Sequence, residues 1–211
     1  MSVALEVEAA IARTRVFGVI RAKDPQEAVW AGRAAAKGGL ELVEITLTTP
    51  GAGEAIAALS QDAGIVVGAG TVLTAAEARA AIQAGARFVV SPHADPEIVS
   101  CCREAGVWVS QGGSTPTELL AIHRMGADCA KVFPAEALGG PRFIKLVRDP
   151  LPFLKLMPTG GVDGANLKAY LDAGVAAVGV ATCLFDKAAI ARRDEAALIT
   201  RTTELLGLAR A

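Results

Sequence analysis

Two residues stand where an apolar strand ordinarily has none. Lys131 lies within Cys129-Ala130-Lys131-Val132-Phe133, and Glu44 within Leu42-Val43-Glu44-Ile45-Thr46-Leu47. Lys and Glu are almost never fully buried without a partner. Side chains alternate between the faces of a strand. If Val43, Ile45 and Leu47 face a layer of helices, then Leu42, Glu44 and Thr46 face the other way. In the second run Ala130 and Val132 face the helices, and Cys129, Lys131 and Phe133 do not. A plain Lys131–Glu44 ion pair is one reading, but desolvation offsets most of what such a pair gains. The chemical reading is stronger. An amine in a dry, partly apolar pocket gives up its proton more readily than one in water, and the free base attacks ketones. A carboxylate beside it moves protons for carbinolamine formation, dehydration and C–C cleavage.

Both residues need a scaffold that brings distant strands together, and the sequence supplies one. Ala-rich amphipathic stretches end in a Gly-containing pair, and a short Val/Ile/Phe-rich run follows. KGGLELVEITL, DAGIVVGAGTV, QAGARFVVSPH, EAGVWVSQGG, RMGADCAKVFPA and DAGVAAVGVATC are examples. Glycine sits at the expected helix C-terminus, and the alternation is that of a parallel sheet covered by helices. Strands are expected at 16–22, 42–47, 65–71, 87–91, 107–110, 129–133, 154–158 and 176–181. The helices expected between them include 24–37, 51–62, 74–84, 95–105, 115–125 and 163–173. Eight β-then-α units predict a single-domain (β/α)8 TIM barrel spanning residues 1–211, with chemistry at the C-terminal strand ends. A doubly wound sheet fits less well, since no GxGxxG follows the first strand. The N-terminal stretch MSVALEVEAAIARTR reads as an additional helix rather than a signal peptide, having acids in its apolar part and no basic start.

Around this frame, Pro158-Thr159-Gly160-Gly161 follows strand seven, with Val162-Asp163 expected to open a helix. Gly179-Val180-Ala181-Thr182 follows strand eight. Paired glycines let backbone N–H groups approach an anion, and barrels commonly hold phosphate at these two loops. Gly68-Ala69-Gly70-Thr71 ends strand three; its small residues leave room, and the Thr71 hydroxyl can bond a carboxylate. Arg21 closes strand one and either binds a substrate phosphate or lies in solvent. Lys155, near the start of strand seven, belongs at the far end of the barrel with a structural role. Gln111-Gly112-Gly113-Ser114 reads as a turn plus N-cap. His93 reads as incidental.

Composition narrows the function classes. The chain has 211 residues, 52% hydrophobic and 20% charged, with a net charge of −1 and no basic block. Nothing here points to nucleic acid or to an anionic membrane surface, and no apolar run is long enough to span a bilayer. Cys101, Cys102, Cys129 and Cys183 form no CxxC pair and no metal spacing, and read as reduced cytosolic thiols.

The motifs V-E-I-T-L, G-A-G-T-V, F-V-V-S-P, A-K-V-F-P-A-E and P-T-G-G-V occur in this order at the ends of strands two, three, four, six and seven. Together they resemble the 2-keto-3-deoxy-6-phosphogluconate and 4-hydroxy-2-oxoglutarate aldolase family over roughly Val16 to Phe185. The resemblance implies a class I aldolase producing pyruvate and an aldehyde. Lys131 would be the Schiff-base lysine and Glu44 the general acid/base. Thr71, Pro92 and Thr159 would line the pyruvyl site. Gly160 and Gly161 would hold phosphate, with Gly179 to Thr182 opposite them. It also implies a cytoplasmic homotrimer acting on a small phosphorylated keto acid, with no metal and no cofactor. Gluconate-type members usually carry Arg at the position of Thr48. Galactonate-type relatives lack that Arg and carry one like Arg21, yet Pro158-Thr159 is the gluconate-type form. Ala181-Thr182 stands where a Ser is often found. The competing reading is a phosphate-binding isomerase or epimerase on the same barrel, with Glu44 as base and Lys131 as an electrostatic clamp.

Overall fold

The computed structural model describes residues 2–210. The chain opens with helix α1 (Val3–Thr14) and then alternates strand and helix: β1 (Val16–Ile20), α2 (Pro25–Lys37), β2 (Leu42–Thr46), α3 (Ala52–Leu59), β3 (Val66–Gly70), α4 (Ala75–Gln83), β4 (Phe88–Val90) and α5 (Pro96–Glu104). It continues with β5 (Trp108–Gly113), α6 (Pro116–Arg124), β6 (Cys129–Val132), α7 (Gly140–Arg148), β7 (Leu156–Pro158), α8 (Leu167–Asp172), β8 (Val178–Val180), α9 (Lys187–Ala191) and α10 (Glu195–Arg210). All strands are parallel and ordered β7-β6-β5-β4-β3-β2-β1-β8. A bridge between Thr159 and Gly179 brings the two edges together, so the sheet forms a nearly closed (β/α)8 barrel.

Local chemistry explains the boundaries. Asp24, Thr74, Asp95 and Thr115 cap the N-termini of α2, α4, α5 and α6, and Thr74 and Thr115 form capping boxes with Glu77 and Glu118. Each cap satisfies backbone N–H groups that the helix leaves unpaired. At the other ends the recurring glycines adopt the left-handed turn that leads into the next strand, as Gly85 (φ 106°) and Gly106 (φ 67°) do.

Apolar side chains divide into two layers. Ala28, Val43, Ile45, Val89, Ile98, Val109, Ala130 and Val132 belong to the shell between strands and helices. Phe17, Leu42, Val66, Phe88, Val90, Trp108, Cys129 and Met157 belong to a separate cluster inside the barrel. The N-terminal helix seals that inner cluster from below with Val7, Ala10 and Ile11. Phe17, Phe88 and Trp108 pack with ring centroids 5.1–6.4 Å apart. Glu8 of α1 accepts hydrogen bonds from Trp108 Nε1 at 3.0 Å and from Lys155 Nζ at 3.1 Å. Lys155 is thus tied to α1 at the lower end of the barrel.

Three local expectations need correction. The predicted turn at Gln111-Gly112-Gly113 is instead the upper part of β5, and the cap before α6 is Thr115, not Ser114. Gln111 faces the helices, where its Oε1 accepts from Asp95 N at 2.7 Å. A polar residue followed by two glycines resembles a turn, yet here Gly112 is needed because a side chain would run into the Pro92 carbonyl. After β7 the helix begins at Leu167, not at Asp163. Asp163 Oδ1 instead accepts from Ala165 N at 2.8 Å and from Asn166 N at 3.3 Å, holding an intervening turn.

Candidate active site

The pairing registers fix the heights of the inward side chains. Glu44 pairs with Gly68, Ala69 with Val89, Val90 with Ser110, Gln111 with Ala130 and Lys131 with Met157. Thr159 then pairs with Gly179, Phe17 with Gly179 and Gly18 with Val43. Moving one strand over and one residue up therefore runs from Glu44 through Ala69, Val90, Gln111, Lys131, Pro158, Gly179 and Gly18 back to Glu44. The even strands contribute the inward members of this circuit: Glu44, Val90, Lys131 and Gly179. They form one layer of the kind that fills such barrels. Glu44 and Lys131 therefore lie at one level on opposite strands, deep in the protein, 1% and 5% exposed.

The layer directly above consists of Val19, Gly70, Gly112 and Thr159, and its small members open space over the carboxylate and the amine. Gly70 is there for Glu44: a methyl group on it would overlap Glu44 Oε1. Gly68 makes way for Phe88, whose ring would overlap any side chain there. The layer below, Phe17, Gly68, Ser110 and Met157, forms an almost apolar floor.

Glu44 is not consumed in a structural ion pair. Its Oε1 is buried with no hydrogen-bond partner among the described residues. Burial pushes its pKa above the ordinary carboxylate value, and the charges of Lys131 and Arg21 oppose that rise. Desolvation disfavours the ionised form while cations favour it, and desolvation is the larger of these causes at Glu44. Lys131 Nζ stands 5.2 Å from the centroid of the Phe133 ring at the mouth.

Other predicted residues gather at the same rim. Thr71 follows β3 with φ at 57°, the left-handed region that a β-branched residue adopts only under constraint. Strain of this kind concentrates at functional sites. Thr159 is 6% exposed with no partner for its buried Oγ1, and a side chain at Gly179 would collide with that oxygen. Pro92 lies against β5 through its carbonyl, opposite Gly112. His93 Nδ1 lies 3.2 Å from Ser91 Oγ, and its ring points to Asp95 at 4.0 Å.

Gly160, Gly161, Gly179 and Thr182 line one cavity of about 230 Å³, together with Val162, Asp163, Ala181 and Cys183. Among the described residues, no Lys or Arg lines it. An anion there would rest on backbone N–H groups and the Thr182 hydroxyl. Gly160 and Gly161 both have positive φ, 91° and 83°. Sequence reasoning gave no role to the residue that holds this loop. Glu136 N donates to Gly160 O at 3.0 Å, and Glu136 Oε2 accepts from Tyr170 Oη at 3.0 Å and Asn166 Nδ2 at 3.3 Å. The Glu ending A-K-V-F-P-A-E was the available signal.

Arg21 is exposed but not idle. Its Nε donates to Thr48 Oγ1 at 3.0 Å, and Thr48 Oγ1 lies 2.9 Å from Thr46 Oγ1. Thr48 thus becomes a seat for the guanidinium of Arg21, the residue that follows β1.

A family model described as "KDPG and KHG aldolase" matches residues 7–201. The 2-dehydro-3-deoxy-phosphogluconate aldolase of Treponema pallidum (strain Nichols) is 39% identical over 163 residues, 77% of this chain and 78% of that protein. The protein of that name from Pseudomonas aeruginosa PAO1 is 36% identical over 194 residues, 91% of this chain and 88% of its own. The crystal structure of KDPG aldolase from Legionella pneumophila, with pyruvate captured as a covalent carbinolamine, superposes with a TM-score of 0.87. It is 30% identical, covering 94% of this chain and 97% of that one.

Proposed function

The chain belongs to the KDPG and KHG aldolase family, and on that premise we propose that Lys131 carries the imine and Glu44 the proton transfers of a class I aldolase. The enzyme is a carbon–carbon lyase acting on 2-keto-3-deoxy-6-phosphogluconate, its galactonate epimer or 4-hydroxy-2-oxoglutarate. The products are pyruvate and an aldehyde, glyceraldehyde 3-phosphate or glyoxylate.

The observation that carries the residue assignment is the shared layer. A buried amine and a buried, unpartnered carboxylate lie at one height beneath a layer opened by two glycines. Unprotonated Lys131 adds to the C2 ketone, and loss of water gives a protonated imine. That cation accepts the electron pair of the breaking C3–C4 bond, while Glu44, directly or through water, takes the C4 hydroxyl proton. The aldehyde leaves, the enamine is reprotonated at C3, and water releases pyruvate and regenerates the amine. Thr71, Pro92 and Thr159 surround the pyruvyl group. Gly160, Gly161, Gly179 and Thr182 receive a phosphate. Arg21, seated on Thr48, contacts the distal part of the substrate.

Our reading also keeps the cytoplasmic homotrimer expected from the family. Sedimentation velocity and cell fractionation check it.

The decisive test is pyruvate with sodium borohydride, followed by intact mass and peptide mapping. One reduced pyruvyl adduct on Lys131 is expected. A folded protein with no adduct, or with the adduct on Lys155, removes the scheme. In the first case Glu44 becomes the base of an isomerase.

A further inference from the structure

The glycine-loop cavity does not account for the open space around the catalytic layer. A second cavity, of about 540 Å³, lies between the end of β1 and α9. Its lining includes Val19, Arg21, Phe185, Lys187, Ile190 and Ala191. Val19 makes it part of the active site, because Val19 is the register partner of Glu44 and an inward member of the layer above it. The charge of Arg21 is also felt at Glu44. The two cavities meet at Ala181 and Thr182, which line both.

Their chemistry differs. The glycine cavity is small and free of Lys and Arg, suited to a compact phosphate. The second is more than twice as large and walled by Val19, Phe185 and Ile190, with cations at its rim. Lys23 and Glu27 also line it and pair with each other at 3.3 Å, which offsets the one charge with the other. Arg21 and Lys187 remain to meet an anion. Apolar walls with a few convergent charges describe a pocket for an organic anion with a hydrophobic stem.

We propose that this cavity receives the C4 substituent of substrates too large for the glycine loop. In the synthetic direction the enzyme then joins pyruvate to aldehydes whose apolar stem ends in a carboxylate. The inference rests on the aldolase reading above. In the added step, C3 of the Lys131-bound enamine attacks the aldehyde carbon and the C3–C4 bond forms. The aldehyde oxygen takes a proton from Glu44, and water hydrolyses the imine to release a 4-substituted 4-hydroxy-2-keto acid. No electrons are gained or lost overall.

The test uses the full chain with pyruvate and three acceptors: glyoxylate, benzaldehyde and 4-carboxybenzaldehyde, with product measured by mass spectrometry. Wild type should saturate with 4-carboxybenzaldehyde and prefer it to benzaldehyde at least threefold in kcat/KM. Ala191→Trp, which fills the cavity from an exposed position, should lower kcat/KM for 4-carboxybenzaldehyde at least tenfold and leave glyoxylate within twofold. Lys187→Ala should remove the preference for the charged aldehyde, which keeps the test decisive if the tryptophan variant fails to fold. Equal losses with both acceptors in Ala191→Trp overturn the proposal. So does a wild type that traps pyruvate on Lys131 yet adds no aromatic aldehyde. Failure to trap pyruvate sinks the aldolase reading instead, so the two failures are distinguishable.

Discussion

Replacing Gly70 by Ala tests the position of Glu44 without touching its chemistry. Gly70 ends β3, opposite Thr46 and one layer above Glu44. A methyl group on Gly70 would stand 2.5 Å from Glu44 Cδ and 2.6 Å from Cγ, and would overlap Oε1. Normal carbon contacts lie near ~3.5–4.0 Å, so the carboxylate must move by about 1 Å or more. Displacement of a catalytic group on that scale costs roughly 10²-fold in rate. Overpacking costs about 1–3 kcal/mol of stability, or about 2–4 °C in Tm per kcal/mol for a chain of this size. Lys131 is untouched, so borohydride should still trap pyruvate on it at long incubation, though more slowly, because Glu44 also serves imine formation. The assay couples pyruvate release to lactate dehydrogenase and measures trapping alongside. The expected pattern is kcat down about 10²-fold with the adduct retained. Gly68→Ala is the control: its methyl group meets the Phe88 ring, so it should lower Tm with a smaller loss of kcat. If Gly70→Ala retained kcat within threefold, either Glu44 would not be the acid/base or its carboxylate would not rest against β3.

Burial raises the pKa of Glu44, and the charges of Lys131 and Arg21 pull it down. The acid limb of kcat/KM should therefore lie above the ordinary carboxylate range, and Arg21→Ala should move it higher still; an unmoved limb in the pH profile counts against the assignment. The same shift has a stability consequence. A carboxyl whose folded pKa is raised loses stability as pH rises from its unfolded to its folded pKa. Glu44→Gln should thus melt progressively higher than wild type across that window while losing cleavage, and Tm against pH reads it. Thr71→Gly removes a left-handed β-branched residue, a strain of order 1–2 kcal/mol, against about 0.5–1 kcal/mol of added chain entropy. Its Tm should hold or rise slightly by calorimetry, while KM rises as the hydroxyl is lost. Glu8→Gln weakens the contacts to Trp108 and Lys155 beneath the barrel. It should cost about 1 kcal/mol in urea unfolding with kcat unchanged, because the proposed site lies at the other end.

The barrel and the inward orientation of Glu44 and Lys131 were legible because both rest on short-range rules. Period-two alternation sorted Val43 and Ile45 from Glu44, and left-handed glycines punctuated each helix end. What escaped depended on contacts between segments distant in sequence. Gln111-Gly112-Gly113 has the composition of a turn, and only the Pro92 carbonyl across the sheet explains a glycine inside a strand there. Asp163 satisfied the rule for a helix start, but Asn166 and Glu136 compete for the same loop and delay α8 by four residues. Arg21 stood undecided between phosphate and solvent because its seat, Thr48, is 27 positions away.

The register also explains why the proposed catalytic pair needs no sequence proximity. A climb of one residue per strand makes residues on β2 and β6 coplanar only if every intervening strand keeps its pairing, so one slip would lift Lys131 out of the level of Glu44. Such slips are suppressed by the layers beneath. Phe88 fills the hole left by Gly68, Trp108 is anchored to Glu8, and Phe17 packs against both rings. A misregistered strand would present an aromatic side chain where only glycine fits. The bulky lower layers therefore specify the alignment, and the glycine-rich layer above Glu44 and Lys131 can give up packing to make room for substrate. This division places the tolerance for sequence change at the rim, at Arg21, Thr48 and the wall formed by Lys187 and Ala191, where our proposal puts the reading of differences between substrates.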